Sequence, residues 1–132
     1  MTDFAYGFKK IVSGSLADVE GRVREALASE GFGVLTEIDV SATLKEKLGV
    51  DFPPYRILGA CSPAIAHQAL MEEIDIGLLL PCNVAVYRGG HDGETVVSIL
   101  DPEKQLEITG REDIFELAAN VRTSLRRVMD NL

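Results

Sequence analysis

The chain has 132 residues, 46% of them hydrophobic and 26% charged, which suits one domain with its own core. Its net charge of −8, with no long basic run, argues against nucleic acid or an anionic membrane surface as a partner. The longest apolar run, near residues 76–80, is far too short to cross a bilayer, and residues 1–6 carry an acid and no apolar stretch, so no export signal is expected.

Tyr6, Phe8, Ile11 and Val12 suggest a first strand whose alternation fails at its end. Ser15 is a good N-cap for a helix that places Leu16, Val19, Val23, Ala26 and Leu27 on one face. Asp18/Arg22 and Glu20/Arg24 are spaced as ion pairs on its wet side, and Gly31 stops it. Val34, Thr36, Ile38 and Val40 alternate with a more polar set, giving a second strand. Ser41 is expected to cap a short helix that Gly49 closes. Pro53 and Pro54 forbid helix and lead into a strand over residues 55–60.

Ser62 before Pro63 reads as an N-cap followed by proline at the first helical position, with the helix running to about Glu73. Residues 83–88 and 94–100 flank "GGHDG" and read as a hairpin. Asp101 and Pro102 repeat the cap-plus-proline signal. Thr109 with Glu112 has the spacing of a capping box for the last helix. On that helix Ile114, Leu117, Ala118, Val121, Leu125, Val128 and Met129 form a long apolar stripe, and Arg122, Arg126 and Arg127 suit its C-terminal end. These elements predict a single α+β domain over residues 1–132, with a mainly antiparallel sheet and the first and last helices packed on one face.

The chemistry that the residues offer centres on two thiols. Cys61 follows a strand and precedes a helix N-terminus, a setting that favours a thiolate or a bound anion. Free cysteine is equally at home as a small buried hydrophobe. Cys82 follows Pro81, which places it at an edge, a bulge or the beginning of a strand. Twenty residues part the two cysteines, so there is no C-x-x-C motif, and the expectation is a pair of reduced thiols close together at one end of the sheet.

His67 lies beyond the start of the third helix and is a candidate base for Cys61, while His91 falls in the hairpin turn. No chelating pair points to a metal, and no phosphate loop, dinucleotide fingerprint or hydrolase motif points to a cofactor. Glu37 and Asp39 share a strand face, with Lys45 and Lys47 nearby in sequence to neutralise them.

The segments "GFGVLTEIDV" (31–40), "YRILGACSPAIAHQAL" (55–70) and "IGLLLPCNVAVY" (76–87), with "DP" at 101–102, resemble the family called domain of unknown function 302. The resemblance spans nearly the whole chain. It implies a small bacterial or archaeal α+β domain, often dimeric, for which no activity is defined. Ser62 stands where that family's segment usually has an asparagine; both side chains can cap a helix, but no role of an amide carries over.

Three functional readings follow. The first is a cytoplasmic, non-catalytic domain that binds a small ligand or a partner and forms a homodimer. Its site would be bounded by Cys61, Ser62, Pro63, Cys82, Asn83 and Glu37, and the helix N-terminus at residues 61–63 would suit a small anion. The second is a thiol-dependent redox or sulfur-handling protein using Cys61, with Cys82 or His67 assisting. The third is a purely structural or assembly module. The homodimer contact is expected at a sheet edge or a helix flank, where apolar surface is left over.

Overall fold

The computed structural model describes residues 1–132. Its strands are β1 (Thr2–Phe4), β2 (Gly7–Ser13), β3 (Gly33–Asp39), β4 (Tyr55–Cys61), β5 (Cys82–Arg88) and β6 (Glu94–Leu100). Its helices are α1 (Leu16–Ser29), α2 (Val40–Leu48), α3 (Pro63–Glu72), α4 (Pro102–Glu107) and α5 (Glu112–Asp130), with a 3-10 segment at Ile74–Leu79. The strands form one sheet in the order β1-β2-β6-β5-β4-β3, and every neighbouring pair is antiparallel. The α+β class and the antiparallel sheet are as expected.

The main core lies between this sheet and the two long helices. Phe8, Leu58, Val84, Val86, Val97 and Ile99 point from the strands to one side. There they meet Val19, Val23 and Leu27 of α1 and Val121, Leu125, Val128 and Met129 of α5, all buried. Every residue of the α5 stripe that the periodicity assigns to the core is buried. A second, smaller cluster joins Ala69 of α3, Ile76, Leu106 of α4 and Ile114, Leu117 and Ala118 of α5. Two packed clusters therefore share α5 as a common wall.

Several local expectations need correction. β1 was not expected, because a three-residue strand is too short for any periodicity to register. Val40 begins α2 instead of ending β3, because the Asp39 carboxylate accepts from the Ala42 amide and caps the helix two residues earlier than Ser41 would. Ser41 donates its hydroxyl to that same carboxylate. The Thr109/Glu112 capping box does not form. Thr109 gives its hydroxyl to the Leu106 carbonyl and accepts from the Arg111 amide, and Arg111 stands at the N-cap.

Arg22 donates to the Ser13 carbonyl and not to Asp18, whereas the Glu20–Arg24 pair is made at 3.3 Å. The C-terminal arginines are each taken up by an acid from another element. Arg122 pairs with Asp101, Arg126 with Asp3 and Arg127 with Glu30. Their charge thus ties α5 to its neighbours, and Arg127, in the last turn, also complements the helix dipole.

Candidate functional site

β4 and β5 run antiparallel with Ala60 opposite Cys82, so the end of one strand and the beginning of the other meet at the same end of the sheet. β5 begins at Cys82 because Pro81 has no amide hydrogen for the ladder. The Leu80–Pro81 bond is cis. On the other side Pro63 fits the first position of α3, and the chain turns away from the sheet directly after Cys61. Gly59, just before this turn, has no room for a side chain, since a Cβ there would collide with Thr36 and with Pro81 at 2.7 Å.

Both thiols face one small cavity of about 40 Å³. Ala60, Cys61 and Cys82 form its sheet side, Ile65 and Ala69 its α3 side, and Leu106 and Leu117 close it. Ile65 packs against both hydrophobic clusters, so the cavity sits on the seam where the two cores fail to interdigitate completely. Twelve of its 15 lining residues are hydrophobic, so it favours apolar contents. On this scale a water needs roughly 10–15 Å³, so the space holds only a few water-sized groups unless the seam opens.

Gln105 of α4 is the one amide in the lining. Its Nε2 donates to the Leu79 and Pro81 carbonyls, and its Oε1 accepts from the Cys82 Sγ–H at 3.7 Å. That side chain clamps the irregular backbone ahead of β5 and holds the Cys82 proton. Burial pushes the Cys61 thiol up. Burial, and then the adjacent Cys61, push Cys82 up to about 11. Both cysteines are free thiols and both stay protonated at neutral pH.

The other candidate residues fall in different places. Ser62 lines the cavity and caps α3 without a side-chain hydrogen bond, whereas Pro63 is exposed. Asn83 points to the opposite side of the sheet. His67 is exposed on α3 and lies outside the cavity lining. Glu37 is remote from the thiols. It belongs to an ion-pair cluster in which Arg56 reaches Glu20 at 2.8 Å, Glu37 at 3.4 Å and Asp39 at 3.8 Å, and Arg24 also pairs with Glu37.

The two acids of that strand are therefore neutralised by arginines from β4 and α1. Lys45 instead bridges to Asp51. The Asp39 carboxyl lies below its ordinary range, held there by the Ala42 amide, the Ser41 hydroxyl and Arg56. No three His, Cys, Asp or Glu side chains converge in a way that could hold a metal.

Sequence reasoning missed Gln105, Leu106 and Leu117 as partners of the cysteines. The signal was present in part, because Asp101-Pro102 announces a helix, and its inward side three and four residues later is Gln105 and Leu106.

The fold and the site define a class: small α+β domains with one antiparallel sheet, helices α1 and α5 on one side, and an apolar cavity where a strand–helix turn meets a proline-led strand. The chain matches the family described as "Domain of unknown function DUF302" over residues 8–132, and it belongs to that family. It is similar to an uncharacterized conserved protein DUF302 from Bacillus stearothermophilus, known from a crystal structure. The two are 31% identical, with a TM-score of 0.87 over 96% of this chain and 97% of that one. No curated protein matches the chain. No helix is long and apolar enough to cross a membrane.

Proposed function

We propose that this is a cytoplasmic, non-catalytic binding domain, working as a homodimer, whose ligand site is the cavity between Cys61 and Cys82. The observation that carries the reading is the cavity itself, an apolar space on the seam of two cores with two protonated thiols in its wall. Such a space suits a small neutral ligand whose apolar end displaces the few waters that fit there. The two free cysteines fit a reducing compartment. Thiol-dependent chemistry fits less well, because a nucleophilic or redox cysteine needs thiolate, and burial opposes it at both positions.

A titration of 15N-labelled protein with n-butanol and, separately, with butyrate tests the reading. Saturable shifts at the Cys61, Ile65, Cys82 and Leu106 amides with butanol, abolished in an Ala66→Leu variant that fills the cavity, are the expected result. Stronger shifts with butyrate at the first turn of α3 would instead support an anion at residues 61–63. Scattered shifts that never saturate with either probe would contradict a ligand site here.

A further inference from the structure

The side of the sheet away from α1 and α5 is open, and strand register fixes what it displays. Ile11, Val96, Tyr87 and Tyr55 form one row across four strands. Thr2, Lys9, Ser98, Ala85, Ile57 and Ile38 form the next across all six. Tyr55 and Tyr87 stack with ring centroids 5.1 Å apart, and Ile11 and Ile38 are 64% and 48% exposed. A groove of about 640 Å³ runs along this side, lined by Phe4, Tyr6, Tyr55, Ala85, Tyr87 and Ser98 among others, with no residue from a helix.

Charge is distributed against this face. The chain has 21 acidic residues, and none of them falls in either row. Asp3 and Asp39 adjoin the second row but alternate to the other side of the sheet, and the nearest acid on this side is Glu94, two residues beyond Val96 at the sheet's end opposite Ser13. The single charged member, Lys9, lies over the Phe4 ring at 5.7 Å. On a molecule of net charge −8, a face of this extent with no acid in either row and one cation, held over an aromatic ring, is the surface that association covers at the least cost in buried charge.

The area is sufficient. Five strands of seven residues, β2 to β6, make up nearly all of the sheet. At ~4.8 Å between strands and ~3.3 Å per residue they span roughly 550 Å² in projection. Two such faces together cover about 1,100 Å², above the ~1,000 Å² that a specific interface needs. The sheet edges offer less. β1 has three residues, and β3 carries an irregularity between Val34 and Thr36.

We propose that the occupant of this face is a second copy of the chain, docked face to face about a two-fold axis. The proposal rests on the homodimer reading above and adds the surface that forms it. Ala85 and Ser98 floor the groove and the aromatic residues wall it, so a wall residue of one copy has room over the floor of the other. A two-fold pairing sets this same face of each copy against the other, with the one cation, Lys9, over its own Phe4 ring.

Light scattering at micromolar concentration, at low and moderate salt, tests it on four proteins. The wild type is expected at twice the 14.3 kDa of the chain. Ile11→Glu and Ala85→Glu, which each put a charge on the face, are expected at monomer mass with unchanged far-ultraviolet circular dichroism. Ile11 is exposed, so its variant leaves the monomer core intact. Gln68→Glu, an added charge on the exposed side of α3, is expected to stay dimeric. A monomeric wild type in both salts overturns the homodimer reading itself. Dimeric Ile11→Glu and Ala85→Glu overturn the face and leave the homodimer standing, and a monomeric Gln68→Glu beside them overturns the face as well.

Discussion

At Cys61 two tendencies compete. The helix N-terminus that follows favours a thiolate, while an apolar wall favours the neutral thiol. Burial prevails at Cys61 and still more at Cys82, where the nearby Cys61 adds to it. This has a consequence for stability. Between the ordinary value of 9.0 and about 11, an unfolded chain has given up the Cys82 proton and the folded chain has kept it. Stability is intact below that window and falls as pH rises through it, by at most about 1.4 kcal/mol per pH unit for one proton. Tyr55, pushed up by its own burial, titrates in the same direction and forms a background. Urea unfolding below and within this window is therefore expected to show a larger loss for wild type than for Cys82→Ala. Parallel losses in the two proteins would contradict a buried, protonated Cys82.

β3, the strand at one edge of the sheet, depends on polar contacts. It buries no residue, and its attachment relies on pairing to β4 and on Arg56. Arg56 and Glu20 are both largely sheltered, so removing the cation leaves a shielded carboxylate without its partner. Arg56→Ala is expected to lower stability by about 1.5–3 kcal/mol, the range for hydrogen bonds to charged groups. Glu37→Gln, at a more exposed carboxylate, is expected to lower it by less than ~1 kcal/mol. Urea midpoints for the two variants check this, and equal losses would show that the cluster does not hold β3.

Elements were legible wherever one face is buried and the cap is local. The α5 stripe, the α1 face and its Ser15 cap, and the Ser62-Pro63 and Asp101-Pro102 starts all follow from spacing and turn chemistry. Choices between adjacent polar residues were not legible. Asp39 prevails over Ser41 because backbone geometry outside the helix decides which oxygen reaches the free amides, whereas Arg111 takes the N-cap position with no side-chain cap bond while Thr109 accepts from its amide. The meeting of the cysteines was legible, since each adjoins a break in regular structure. Their partners were not, because Gln105 and Leu117 arrive from elements that no local pattern connects to Cys82.

Across the whole molecule, polar and apolar surfaces are sorted by direction. Acids and arginines pair around α1, β3 and α5, and one side of the sheet carries a single charge. The two hydrophobic clusters meet on α5 and leave their residual space beside the thiols. On the proposed reading this space binds and does not react. The most direct test is intact-mass measurement of iodoacetamide labelling of the folded protein across about pH 6–10, with site assignment by peptide mapping. Neither rate is expected to level off below about pH 9, Cys61 is expected to label before Cys82, and Cys82 is expected to label readily only after unfolding. A labelling rate at either cysteine that is fast and already level at about pH 7 would contradict it and return the site to thiol chemistry.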